Sequence, residues 1–293
     1  MNSDILNHFL KFSTYTDPGL YKSYLEKFPD EIPEIGRLLH KQIIHPNVVK
    51  NGNTGTNADM RYGDISKIPW YKEKQDATLT TVSSILAELV RLDDRGFVYD
   101  RNEDNKLILS CRSISILVAS ILKLKGIPCR VRSGFAPYFT PYFGNQTGDH
   151  WINQYWDKSK ERWVTIDVDG FLEDYVKFDL LDIPEGEFDF SAKCWLDVRE
   201  GKVDAKHFHN SGGTDGLIAI CWELFYDFHC FMNNEILYTY SPKLSYFHEF
   251  YKQPENVLKE VDELARLMID PDKNFDKLKE IWETKKEFRL VVV

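Results

Sequence analysis

The stretch Leu109-Ser110-Cys111-Arg112-Ser113-Ile114-Ser115-Ile116-Leu117-Val118-Ala119-Ser120-Ile121-Leu122-Lys123-Leu124-Lys125-Gly126-Ile127-Pro128-Cys129-Arg130-Val131 decides how the chain is read. Ile114, Leu117, Val118, Ile121 and Leu122 recur at the three-and-four spacing of an amphipathic helix, and Gly126 with Pro128 supplies the stop expected just past its end. Counting from Cys111 to Ile114 and Val118 places the sulfur on the inward stripe of that helix, at its first turn. The orphan N–H groups and positive dipole end of a helix start favour a thiolate, the nucleophilic form of cysteine.

Outward from this helix the periodicity changes. Cys129 to Ala136 reads as a strand and Pro137 to Asp149 as a long aromatic loop. His150 to Trp156 and Trp163 to Val168 read as a hairpin around the polar Asp157-Lys158-Ser159-Lys160-Glu161-Arg162. Upstream, Ala77 to Leu92 carries apolar residues at helical spacing, Leu20 to Phe28 and Glu34 to Ile44 read as helices, and Asn51 to Asp59 as a loop. Downstream, helices are expected near Leu217 to Tyr238, from Glu255 to Met268 and from Asn274 to Thr284. Helices packed on a small antiparallel sheet make the fold class α+β. With no repeat and no Gly/Ser/Pro-rich linker, a single domain over 1–293 is expected, its core at about 78–190 and helical additions at 1–77 and 191–293.

Composition narrows the function. Hydrophobic residues at 43% and charged residues at 28% are those of an ordinary folded chain, and a net charge of −9 supplies no basic field for nucleic acid or anionic lipid. The apolar segment Gly216 to Tyr240 is interrupted by Glu223, Asp227, His229 and Glu235, which excludes it as a membrane span. The opening MNSDILNHFLKF has no signal-peptide pattern, so a cytoplasmic location is expected. Five scattered cysteines without CxxC spacing point away from a disulfide framework or structural zinc.

The hairpin brings candidate partners for Cys111. If Trp156 pairs with Trp163, paired residue numbers sum to an odd value, 319; His150 and Asp167 then share a face as diagonal neighbours, and Asp169 stands opposite His150. An even-sum register would separate them. The odd register permits a Cys–His–Asp arrangement in which imidazole moves the proton and a carboxylate orients it. Each residue also has a plain alternative: Cys111 a small core thiol, His150 a hydrogen-bonded structural residue, Asp167 a turn acceptor.

Together Leu109-Ser110-Cys111-Arg112, the run Gly126-Ile127-Pro128-Cys129-Arg130, Asp149-His150-Trp151 and Trp163-Val164-Thr165-Ile166-Asp167 resemble the transglutaminase-like superfamily, specifically its bacterial, largely uncharacterised members. Tyr15-Thr16-Asp17-Pro18-Gly19 and Phe178-Asp179-Leu180-Leu181-Asp182-Ile183-Pro184 extend the resemblance over most of the chain. It implies a papain-like core with Cys111 as nucleophile, His150 as general base and acid, and Asp167 as orienter, Asp169 being the geometric runner-up. Ser113, where close relatives tend to carry Asp, and Cys129, where Ala is usual, depart from the pattern. The Cys111 backbone N–H is the expected oxyanion donor.

The expected function is acyl transfer from an amide or peptide carbonyl through a thioester. Hydrolysis is preferred to transamidation because water needs no dedicated pocket; the contrary expectation is a binding or scaffold protein that keeps the fold. Substrates would be a peptide, a protein or a small amide, without nucleic acid, membrane, cofactor or metal, and the oligomeric state is left open. His207 and His209 on one strand face, with His45 or His229, lack the accompanying ligands of a metal site. Gly212-Gly213-Thr214-Asp215-Gly216 reads as a turn before a helix. The rings of Phe135, Tyr138, Phe139, Tyr142 and Phe143 border the proposed site as a lid or as loop packing. Arg112, Arg130 and Arg132 could meet an acidic substrate, Arg130 and Arg132 sharing a strand face by spacing, but solvated surface is the expected role. A redox role for Cys111 would need a resolving thiol, for which Cys129 and Cys194 are the sequence-plausible partners.

Overall fold

Where a helix starts and stops is set by its caps, and these shift several expected boundaries. The computed structural model describes residues 3–46, 67–140, 146–168, 176–245 and 250–292. The loop expected at Asn51 to Asp59 lies outside them, as do Tyr142, Phe143 and Asp169.

The labelled helices, in chain order, are α1 (Ser3–Leu10), α2 (Ile32–Gln42), α3 (Val82–Leu92), α4 (Cys111–Leu124), α5 (Ser191–Arg199), α6 (Leu217–Phe231), α7 (Glu255–Ile269) and α8 (Phe275–Thr284). The strands include β1 (Ile43–Ile44), β2 (Leu107–Ile108), β3 (Cys129–Ala136), β4 (Thr147–Asp157), β5 (Arg162–Ile166), β6 (Asp189–Phe190), β7 (Phe208–Asn210) and β8 (Thr214–Asp215). The class is α+β, as expected.

The helix expected from Ala77 begins five residues later because Thr81 takes the N-cap: its hydroxyl accepts from the Ser84 amide at 3.2 Å while the Ser84 hydroxyl accepts from the Thr81 amide at 3.1 Å. Residues Gln75–Thr78 form a separate single turn. α2 starts earlier than expected because Pro33 fits the first helical turn, where its missing N–H costs nothing, and the β-branched pair Ile43-Ile44 leaves it as β1. Only a 3-10 turn, Gly19–Tyr21, and one α-turn, Lys22–Leu25, form where Leu20 to Phe28 was expected as a helix, since Pro29 cuts the segment short. α6 ends at Phe231, short of Tyr238, because Asn233 adopts φ 54° and the Asn234 amide bonds back to the His229 carbonyl at 2.9 Å. This is the left-handed helix stop that Asn tolerates.

The chain folds into two compact units. The first comprises Leu6–Arg130 and Ile152–Ile183, the second Asn2–Ile5, Val131–Trp151 and Pro184–Val293. β3 and β4 each run from one unit into the other. In the first unit α3 packs on α4, and Val82, Ile85, Leu86 and Leu89 of α3 with Ile114, Leu117, Val118, Ile121 and Leu122 of α4 are all buried. Each such side chain contributes about 1.5–3 kcal/mol of transfer free energy. β1 and β2 pair in parallel, and β4 and β5 form the expected hairpin with Trp156 opposite Trp163.

In the second unit β6 lies antiparallel on β3, β7 pairs with the start of β4, and β8 returns antiparallel on β7. The β4–β7 pair is parallel, so the sheet is not antiparallel throughout. α5 packs between α6 and α7. No helix among the described residues is long and apolar enough to cross a membrane.

Candidate active site

Cys111 is the first residue of α4 and only 6% exposed. β2 delivers the chain to it: the Leu109 amide bonds to the Ile44 carbonyl at 3.1 Å, which anchors the approach one residue before the N-cap Ser110. The whole helix from Cys111 to Lys123 is buried, not only an inward stripe. Asn153 of β4 donates its side-chain amide to the Ser115 carbonyl at 3.0 Å and approaches the Cys129 sulfur at 3.7 Å, so the helix rests on the strand through a polar contact as well as apolar ones.

Arg112 is 1% exposed, in contrast to the surface role expected for it. Its guanidinium lies 5.1 Å from the centre of the Tyr15 ring and donates to the Thr80 carbonyl at 3.1 Å. The N-terminal motif Tyr15-Thr16-Asp17-Pro18-Gly19 is thereby joined to the first turn of the cysteine helix, and the Val82 amide bonds to the Tyr15 carbonyl at 2.8 Å. Arg130 is likewise buried, 4.1 Å over the Trp163 ring and bonded to Gln154 at 2.8 Å. The strand alternation that aligned Arg130 with Arg132 says nothing about whether that face is covered, and both faces of β3 are buried.

The hairpin register is the odd one. Trp156 faces Trp163, Gln154 faces Thr165 and Asn153 faces Ile166, each pair summing to 319. Asp167 follows directly on β5, 3% exposed, its amide bonded to the Leu180 carbonyl at 2.8 Å. The Ile183 amide bonds to the Thr165 carbonyl at 2.9 Å, so the second outlying motif, Phe178 to Pro184, runs alongside the strand that presents Asp167. Within this unit a cavity of about 370 Å³ opens beside Asp167, between Gly36, Arg37 and His40 of α2 and Leu180 and Leu181.

His150 belongs to the second unit, 2% exposed in β4. Its ring meets Phe139 edge-on at 4.7 Å and 62°, and Tyr138 at 6.4 Å and 90°. Those two aromatics of the expected loop therefore pack the imidazole. The residue before it, Asp149, is buried, held by the Ser211 amide at 2.7 Å, the Ser211 hydroxyl and Asn210 at 3.3 Å. Burial raises the Asp149 carboxyl above its ordinary value against those hydrogen bonds.

A buried polar cluster continues from there. Asn210 donates to Glu223 at 2.7 Å, and the Ser133 hydroxyl bonds to the other Glu223 oxygen. Burial and the nearby Asp149 charge push Glu223 well above the usual carboxylate range. Asp227 forms a two-pronged pair with Arg132 at 2.7 and 2.8 Å. Burial alone would lower the Arg132 value, but the Asp227 pairing outweighs it and keeps the guanidinium charged. Arg132 too is a core residue, not solvated surface.

Residues 109–168 match the family model of the transglutaminase-like superfamily. This segment is similar to a transglutaminase-like core. No curated protein and no solved structure matches the chain. The superfamily is one of papain-like cysteine enzymes, and Cys111, His150 and Asp167 all fall inside the matched transglutaminase-like segment.

The other candidates go elsewhere. His207 sits in a 3-10 turn, His209 in β7 bonded to Asp215 at 2.5 Å. His229 lies buried between the Phe288 carbonyl and Asn234, where burial pulls its value down to about 4. Among the described residues no group of three His, Cys, Asp or Glu is placed to hold a metal ion. All five cysteines are buried and none forms a disulfide.

Sequence reasoning missed Asp76, from the Gln75–Thr78 turn, which grips the start of α4. The sequence carried no signal for it: Arg112, Ser113 and Ile114 put no acid into the helix's own first turn, but the same holds for α3, α5 and α6.

Proposed function

We propose that this protein is a cysteine-nucleophile acyl-transfer enzyme using Cys111, His150 and Asp167. Cys111 at the first position of a buried helix inside the transglutaminase-like segment carries this reading. The odd hairpin register supports the choice of partners. His150 takes the thiol proton, and the thiolate adds to an amide or peptide carbonyl, with the Cys111 N–H stabilising the oxyanion. The tetrahedral adduct collapses as His150 returns the proton to the leaving amine, which departs from a thioester. His150 then draws a proton from water, whose attack releases the acid and regenerates the thiol. Asp167 holds the imidazole tautomer throughout. Substrates are peptides, proteins or small amides, and the working compartment is the cytoplasm.

Limiting iodoacetamide at about pH 6, where an ordinary thiol is almost wholly protonated, tests this by intact mass and peptide mapping. Burial raises the Cys194 and Cys221 values well above the usual thiol range, which removes two competitors. Single-site labelling of Cys111 is expected. Labelling spread over the cysteines, or none, would replace the enzyme with a binding protein that keeps the fold.

A further inference from the structure

Helix α4 opens without a capping group of its own. Ser110 occupies the N-cap with φ −79° and ψ 174°, yet its hydroxyl makes no cap hydrogen bond to the helix, and the first turn contains no acidic residue. A nucleophile at the first helical position depends on how firmly that turn is held, since its sulfur moves with the backbone of residues 110–113.

One carboxylate oxygen holds it. Asp76 Oδ1 accepts from the Ser110 amide at 2.8 Å, from the Ser110 hydroxyl at 3.0 Å and from the Ser113 hydroxyl at 3.0 Å. The three donors flank Cys111, from the residue before it and the residue two after. The neighbouring Gln75 accepts from the Ile108 amide at 3.0 Å through its side-chain oxygen, so the same turn also pins the end of β2. Ser110 is 7% exposed and Ser113 fully buried, so water does not readily replace the carboxylate as acceptor. Ser113, conspicuous in the sequence as a departure at this position, finds its use here as a donor to Asp76.

We infer that Asp76 is the positioning residue of the nucleophile: it fixes the first turn of α4 around Cys111 from a separate segment of the chain. A carboxylate at a helix N-terminus also stabilises the helix, and its charge opposes the thiolate; Asp76→Ala and Asp76→Asn both remove that charge and differ only in the acceptor oxygen. The distinction makes the inference testable. It rests on the reading of Cys111 as nucleophile, and wild-type labelling checks that reading separately.

The experiment measures the second-order rate of Cys111 alkylation by iodoacetamide at neutral pH, with thermal unfolding alongside, in the full-length protein. Asp76→Ala is expected to slow Cys111 by about tenfold or more in the folded state, the scale of a misplaced reacting group. Asp76→Asn, which keeps an acceptor oxygen in place, is expected to restore the rate to within about threefold of wild type, which a purely structural role would not require. Should Asp76→Ala fail to fold, the Ser110→Ala, Ser113→Ala double variant removes the two hydroxyl donors with the carboxylate intact, and the same slowing is expected. A wild-type Cys111 rate in folded Asp76→Ala, or in the double variant, overturns the positioning role. Absent selective labelling in the wild type overturns the nucleophile itself and leaves Asp76 as a helix cap.

Discussion

Trp156 and Trp163 stand opposite each other across the β4–β5 hairpin, their ring centroids 5.7 Å apart at 74°. The pair sets the parity of both strands, and Gln154 confirms it by donating to its opposite number Thr165 at 2.9 Å. Phe9 and Arg130 close on Trp163 at 5.5 and 4.1 Å, so a slip by one residue would tear three aromatic and cationic contacts from Trp163.

That parity is the one the proposed triad needs; it does not separate Asp167 from Asp169, and the role proposed for Asp167 ranks the two. Asp167→Asn is expected to slow Cys111 alkylation more than Asp169→Asn. His150→Ala is expected to slow it by about tenfold or more near neutral pH, because the thiol returns toward its ordinary protonation. Equal effects of the two aspartate changes, or an unmoved rate in His150→Ala, would dismantle the triad.

How far the sequence could be read follows from what each signal reports. Apolar spacing placed α4, and Cys129–Ala136 stands at its expected bounds, because the helix period and the Gly126-Ile127-Pro128 stop are local signals; that both elements are covered on every side was not in the spacing. The hairpin register was legible as well, since two tryptophans at matching distance from a polar turn leave few alternatives. Arg112, Arg130 and Arg132 were not legible: their burial depends on Tyr15, Gln154 and Asp227, partners 97, 24 and 95 positions away. Asp76 escaped for the same reason, as a carboxylate whose three donors lie at least 34 residues on.

The cluster on α6 contains two acids that should respond unequally to loss of charge. Asp227→Ala strands Arg132 without its ion pair in the core, and a loss of about 3–5 kcal/mol in denaturant unfolding is expected. Glu223→Gln keeps an oxygen for Asn210 and places an amide at the Ser133 hydroxyl, so it should cost far less.

The same carboxyl gives a pH signature. Burial raises Glu223 above the ordinary carboxylate value, so the folded protein retains a proton there that the unfolded chain releases as pH rises. The folded state binds more protons across that window, and stability therefore falls with rising pH. Glu223→Gln removes this contribution, while Asp149, raised in the same sense, keeps part of the slope. Unfolding free energies from about pH 4 to pH 7 should decline less steeply in the variant than in wild type; an equal or steeper decline would mean that Glu223 is ionised in the fold.

Gly134 of β3 faces Phe190 of β6, and a Cβ there would lie 2.8 Å from the Phe188 ring and closer still to the Asp189 carbonyl. Backbone cannot step aside as a flexible side chain can, so Gly134→Ala should lower stability by about 1–3 kcal/mol or more, read as a shifted denaturant midpoint. An unchanged midpoint would show that β6 is free to move off β3.

Arg112 discriminates between charge and shape beside the nucleophile. Its guanidinium covers the Tyr15 ring and reaches the Thr80 carbonyl from a position 1% exposed. Lysine would carry the same charge into that space without the planar face for the ring or the forked donors for the carbonyl. Methionine would give up the charge and fill the stem volume with apolar atoms. A buried charge poorly matched to its surroundings costs more than its absence, so Arg112→Lys should destabilise the fold more than Arg112→Met. The expected gap is about 1–2 kcal/mol in chemical unfolding. If Arg112→Met is instead the weaker fold, the charge itself holds the N-terminal motif against α4, and Tyr15→Leu should then reproduce the loss.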